Sequence, residues 1–384
     1  MTYDPTLPKS SGEIRTIDPE RSVEIEQKHL RIAEFLRGVG CDALLLQEPA
    51  NFAWFTCGGQ SRRGHTGTTT ASLFITPEAR VVVTNNVDSA QLFDWELSGL
   101  GFQLKERPWH EPRQVLIDDL CRGRTMCSDV PSASARCVAD ELRPLRLPLS
   151  SFECSRLREL GKRVAHAVEA TARNFQHGST EAEIAGEVAH RLVKHCIEPV
   201  EIQVWAKSRG RHYRHWQFGN DRVDRYCLIT GVGRCDGLHA AASRIVTFGE
   251  PPEHIQEGFE KALMVQTCGL YFSKEGETVR DVWGRIAHLY EKLDHPDEWH
   301  HAEQGYATGY ESLEYLLTPE SEQTLEERTP LIWRPSVGPA LVCDTALVGR
   351  RGAEVVTPTE NWPIRQIEIK GARINRPGLL RRER

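Results

Sequence analysis

His215, in the run R-H-W-Q-F-G-N-D (214–221), is the residue of this chain best suited to moving a proton. An imidazole changes charge between pH 5 and 8, which is what a general acid or base working near neutrality needs. His212 lies three residues earlier and offers the same chemistry; a hydrogen-bonded structural histidine is the competing reading for both. Cys343 is a candidate nucleophile, because a neighbouring guanidinium or imidazole lowers a thiol pKa and exposes the reactive thiolate. Its alternative is a small apolar filler on an inward-facing strand. Arg62 and Arg63, in S-R-R-G-H, carry planar forks that match a carboxylate, and a solvated loop fits them equally well. His300-His301 lacks any accompanying H-E-x-x-H or C-x-x-C and reads as a surface pair. Neither G-x-G-x-x-G nor G-x-x-x-x-G-K occurs, so nothing supports a nucleotide cofactor.

The elements that must position these groups can be read from the same 384 residues, enough for two or three domains. The net charge of −6 argues against a general nucleic-acid binder. Only the tail is basic, through Lys370, Arg373, Arg376, Arg381, Arg382 and Arg384, and it reads as solvated. Apolar runs are too short to span a bilayer, and the first residues lack the layout of a secretory signal. Eleven cysteines, an odd number without a C-x-x-C pair, point to reduced thiols in a cytoplasmic protein, most of them packed as small core groups.

Residues 1–20 read as a loose polar arm, followed by a helix over Val23–Gly38. Short β-like runs follow at Asp42–Leu46, Thr70–Ile75, Arg80–Thr84 and Phe102–Lys105, which makes residues 1–155 an α/β domain. Residues 156–384 change character. Leu157, Leu160, Val164, Val168, Ala172 and Phe175 keep helical spacing, and Gly178 stands where a C-terminal cap belongs. Thr180 and Glu183 form a capping box for a second helix. A helix through Ile255 and Leu263 then ends near Gly276, and Thr278 and Asp281 open another. G-S-T-E-A-E-I (178–184) and G-E-T-V-R-D-V (276–282) thus occupy equivalent places in two helix–helix–strand halves, which favours an internal duplication. With strands at Val200–Ala206, Tyr226–Val232, His239–Phe248, Leu331–Trp333 and Ala340–Val348, a curved antiparallel sheet with outer helices and an inner cleft fits the second domain, an α/β (α+β) architecture.

Three stretches together resemble one known family. They are G-C-D-A-L-L-L-Q-E-P-A-N-F-A-W-F-T-C-G-G (40–59), the His215 to Arg244 hairpin after the capped helices, and C-D-T-A-L-V with T-P-T-E-N-W-P (343–363). In order and spacing they are similar to the creatinase, prolidase and aminopeptidase P family, over about residues 23–365. The resemblance implies a creatinase-like N-terminal domain, a C-terminal pita-bread domain and a homodimer. Metal-dependent members hold two divalent ions with two aspartates, a histidine and two glutamates. Carried over one at a time, the first aspartate falls on Thr230 or Val232 and the second on Ala241. The histidine falls on Tyr306, and the glutamates fall on Arg334 and Cys343. A guanidinium at a ligand position repels a divalent cation, so no metal and no other cofactor is expected.

Creatinase itself works without metal, through a histidine, glutamates and carboxylate-gripping arginines. His215 matches its active-site histidine, and Glu303 and Glu314 are the remaining candidates for carboxylate acid/base work. Arg334, Tyr306, Trp333 and His212 would face the substrate, and Arg62 and Arg63 belong to a loop that in related dimers reaches the partner's cleft. The positive cleft suits a small anionic molecule or short peptide. The leading expectation is a metal-independent hydrolase or lyase of a C–N bond in a small carboxylate-bearing compound. A non-catalytic binding protein and a dinuclear metallopeptidase in another register are the alternatives.

Overall fold

The computed structural model describes residues 18–64, 69–207 and 212–384. The expected arm lies mostly outside these residues. The first helix, α1 (Pro19–Val39), starts earlier than the apolar periodicity implies, because the Asp18 carboxylate accepts the Glu20 and Arg21 N–H groups and Pro19 takes the first helical position. Two compact units follow, Met1–Arg146 and Leu147–Arg384.

In the first unit come β1 (Ala43–Leu46), α2 (Pro49–Thr56), β2 (Ser72–Ile75) and β3 (Arg80–Asn85). Then follow α3 (Ser89–Gln91), β4 (Gln103–Arg107), α4 (Gln114–Cys121), β5 (Met126–Ser128), β6 (Arg136–Cys137) and α5 (Ala139–Arg146). The sheet order is β4-β3-β2-β1-β5-β6. Ala43, Leu45, Phe74, Val81, Val83 and Met126 form one apolar face with Ile117 of α4 against it.

The second unit opens with α6 (Ser151–Asn174) and α7 (Glu181–Val193), leading into the long strands β7 (Glu198–Trp205), β8 (Tyr226–Cys235) and β9 (Leu238–Phe248). Next are α8 (Glu253–Phe272), α9 (Val279–Lys292), β10 (Gly305–Ala307), β11 (Tyr315–Leu316) and β12 (Pro330–Trp333). The chain continues through β13 (Ser336–Val337), β14 (Ala340–Leu341), β15 (Asp344–Leu347), β16 (Glu354–Val355), β17 (Ile364–Ile369), β18 (Ala372–Pro377) and β19 (Leu380–Arg382). The main sheet runs β11-β10-β12-β15-β9-β8-β7, antiparallel along its path, and curls into a half-barrel as the resemblance implies. Its outer face packs on helices: Gly231 and Gly233 of β8 leave room for Val164 and Val168 of α6, and Gly269 of α8 lies on the Trp333 ring.

The second helix of each pair begins alike. Thr180 and Glu183 make the full capping box, and the Thr278 hydroxyl accepts the Asp281 N–H. Gly178 and Gly276, at φ 86° and 84°, occupy equivalent left-handed positions that favour glycine. They do not close the preceding helices, however. Helix α6 ends at Asn174 because the Phe175 ring packs edge-on against Phe248, and α8 ends at Phe272.

Two other expectations are corrected. Ala340–Val348 is not one strand. Gly338, at φ 57°, turns Ser336–Val337 back onto Ala340–Leu341, and pairing with the main sheet resumes only at Asp344. Nor is the basic tail solvated throughout: β17 and β18 form a hairpin, β19 pairs with β9, and Arg376 is buried. Its guanidinium reaches Asp344 Oδ2 at 2.5 Å and Gln266 Oε1 at 2.7 Å. Asp344 also receives Arg244, at 3.1 Å, and Arg244 in turn bonds Glu169 of α6 at 2.9 Å. This buried ion network ties α6, β9, β15 and β18 together.

Candidate functional site

Side chains alternate across a strand, and directly opposed residues of an antiparallel pair share a face. Glu201 faces Val232, which faces Ala241; Gln203 faces Thr230, which faces Ser243. These six share the inner face of the half-barrel. Arg244, one residue on, takes the opposite face, where it meets Glu169 of α6. Tyr306 lies opposite Ile332. Trp333, Gly305 and Asp344 take the outer face, which leaves Arg334 and Cys343 for the inner one.

Arg334 is the centre of the inner cluster. Its Nη2 donates to Gln203 Oε1 at 3.5 Å, and Gln203 Nε2 donates to Glu201 Oε1 at 2.5 Å. Arg334 also lies near enough to the Tyr306 phenol for each to influence the other's charge. Burial works against its charge, but Tyr306, Cys343, Glu201 and Glu303 outweigh that and raise its pKa above the ordinary guanidinium value. The cation is therefore permanent. Burial pushes the Tyr306 phenol well up, so it stays protonated. At the rim, His215 Nε2 lies 3.4 Å from Glu303 Oε2, and both side chains are open to solvent, at 64% and 41% exposure.

Two buried hydroxyls deepen the same face. Thr230 Oγ1 and Ser243 Oγ, on directly opposed residues, have no hydrogen-bond partner among the described residues. Buried hydroxyls are normally bonded to protein or to ordered water, so these two are available to a ligand or a water molecule.

The five positions to which the resemblance carries the metal ligands are Thr230 (or Val232), Ala241, Tyr306, Arg334 and Cys343. This donor set does not fit a divalent cation, because a fixed positive charge stands in its middle. Among the described residues no group of three or more His, Cys, Asp or Glu side chains is arranged to hold a metal ion.

Of the residues singled out in the sequence, the structure brings His215, Glu303, Arg334, Tyr306 and Cys343 together. Cys343 does not offer a thiolate. It is 2% exposed, and burial pushes its thiol up to about 12 although Arg334 pulls it down. The small buried filler is the correct reading. Trp333 faces away: its indole Nε1 donates to Ser273 Oγ at 3.0 Å within the helical layer. Glu314 sits in the turn after β10, where its Oε1 accepts the Glu311 N–H at 3.2 Å. His212 lines a different cleft from the one His215 faces. Arg62 and Arg63 belong to the first unit, where Arg63 forms a two-point pair with Asp88 at 2.8 Å. All eleven cysteines are free thiols, six of them buried. Glu201 and Gln203 were missed by sequence reasoning; the β7 alternation E-I-Q-V-W, with Ile202 and Val204 against the helices, carried the signal.

Residues 155–328 match metallopeptidase family M24. The Xaa-Pro dipeptidase of Pyrococcus furiosus is 22% identical over 232 residues, covering 58% of this chain and 66% of that protein, so the match spans slightly less than two thirds of the relative. Among solved structures, the prolidase from Pyrococcus horikoshii superposes with a TM-score of 0.74 at 18% identity, covering 87% of this chain and 99% of that one. The N-terminal domain of the FACT complex subunit SPT16 from chickpea superposes at 0.67 with 12% identity, covering 88% of this chain and 95% of that one. At such identities the superpositions establish the pita-bread fold. Family match, curated relative and fold point the same way: residues 155–328 match metallopeptidase family M24, and the chain has the pita-bread fold of the prolidases, to which it is similar.

Proposed function

We propose that the chain is a metal-independent enzyme that hydrolyses or eliminates at a C–N bond of a small carboxylate-bearing compound. The observation that carries this reading is the pairing of His215 with Glu303 at 3.4 Å beside the buried Arg334 cation. A carboxylate beside an imidazole nitrogen orients the ring. Arg334 holds the substrate carboxylate, aided by the Thr230 and Ser243 hydroxyls. In the hydrolytic version His215 takes a proton from water as its oxygen attacks the carbon. It then returns that proton to nitrogen as the C–N bond breaks. Such proton transfer is worth about 10²–10⁴-fold in rate.

The test is amine release from a panel of Xaa-Pro dipeptides and guanidino acids by the full chain, with and without exhaustive chelation. Turnover is expected to survive chelation and to fall by about 10²–10⁴-fold in His215→Ala. Full activity in that variant overturns the assignment of His215.

A second reading, a binding module that kept the cleft without chemistry, draws support from the fold shared with a subunit of the FACT complex. Tight binding of a carboxylate ligand without turnover, unchanged in His215→Ala, would favour it.

A further inference from the structure

Four of the fifteen histidines of the chain stand around one cleft of about 840 Å³ in the second unit. His212 comes from the segment before His215, His254 from the first turn of α8, His295 from the turn after α9, and His301 from the short 3-10 helix that follows. Eleven of the described residues line this cleft; at the average frequency of the chain they would include fewer than one histidine. None of the Arg334 cluster is among them. The segment 212–215 thus serves two places, with His215 toward Glu303 and His212 toward this second cleft.

The other charges that the described residues bring to the cleft are paired. Arg214 holds Glu298 at 3.0 Å, and Lys261, behind the wall, holds Glu257 at 2.6 Å. The same ammonium lies 3.0 Å from His295 Nε2. A lysine ammonium only donates, so His295 accepts through Nε2 and is the neutral ring with its proton on Nδ1. His212, His254 and His301 remain. Among the described residues they have no hydrogen-bond or ion-pair partner. Protonation of these rings therefore adds positive charge beside described charges that are already paired.

We propose that this cleft is a second ligand site, which takes a compact small-molecule polyanion bearing phosphates or several carboxylates. The imidazolium groups of His212, His254 and His301 grip it. A cleft of this volume suits a small organic ligand rather than a lone ion. Because the ligand selects the protonated rings, binding takes up protons and tightens as the pH falls through the imidazole range.

Calorimetric titration of the full chain with inorganic pyrophosphate and, separately, with citrate tests this at about pH 6 and about pH 8. Running each in two buffers of different ionisation heat counts the protons taken up. The expected result is affinity about tenfold or more higher at the lower pH, with net proton uptake. Whichever anion binds more tightly distinguishes phosphate from polycarboxylate. His212→Gln and His301→Gln change exposed side chains, and each is expected to weaken binding several-fold at the lower pH. Equal affinity at both pH values, no binding of either anion, or undiminished binding by the triple His212→Gln, His254→Gln, His301→Gln variant would overturn the site.

Discussion

Replacing Asp344 by alanine is expected to destabilise the second unit by about 3–5 kcal/mol. At roughly 2–4 °C per kcal/mol for a unit of this size, its melting temperature should drop by about 6–20 °C. The carboxylate is 3% exposed and receives Arg244 on one oxygen and Arg376 on the other. The Thr357 hydroxyl also donates to it, at 2.9 Å. Its removal leaves two guanidinium groups underground with only one carboxylate, Glu169, nearby. Uncompensated buried charge is what makes breaking such a network expensive, whereas the net worth of the intact network is small. The control is Glu354→Gln. That carboxylate is bidentate to Arg158 at 2.7–2.8 Å, but the pair is about half exposed, at 43% and 52%. Its loss should cost under about 1 kcal/mol. Calorimetric melting of both variants checks the contrast; similar losses would mean that the Asp344 network is no more than another surface pair.

Arg334→Met should behave in the opposite way, sparing the fold and disabling the site. A buried guanidinium pays a desolvation cost, and replacing a buried charge by an apolar side chain is expensive chiefly when it strands a buried partner charge. The acidic groups around Arg334 are not trapped by the change, since Glu201 is half-buried and Glu303 is exposed. For a carboxylate ligand, losing a buried charged partner costs about 2–5 kcal/mol, or roughly 30- to 4,000-fold in affinity. On the proposed reading KM therefore rises steeply in Arg334→Met, while the melting temperature stays within a few degrees. Unchanged ligand affinity in a folded Arg334→Met protein would remove Arg334 from the binding role.

Much of this architecture was legible in the chain because it rests on local rules. Thr180 with Glu183 and Thr278 with Asp281 announce helix starts by pairing with backbone N–H groups within four residues. Strand β7 announces itself by alternation, and β8 and β9 by apolar-rich runs. Side-chain roles were less legible, since they depend on which face a residue takes. Trp333 and Arg334 are adjacent in sequence yet serve different layers, one against α8 and the other beside Tyr306. Cys343 looked like a candidate thiolate because Arg334 is near, but its complete burial is a tertiary fact that no spacing reveals. Arg376 looked like part of a solvated tail because its partners Asp344 and Gln266 lie 32 and 110 residues away. Glu201 and Gln203 gained meaning only once Thr230 and Val232 were seen opposite them.

The most direct test is metal analysis of the purified full chain after incubation with manganese, cobalt or zinc and removal of the free ion. A pocket with a guanidinium at its centre and a buried neutral thiol, a phenol and an alanine around it should retain well under one equivalent per chain, and its melting temperature should not move. About two tightly held equivalents per chain, with a matching rise in melting temperature, would contradict the assignment of Arg334 and its neighbours to the metal positions.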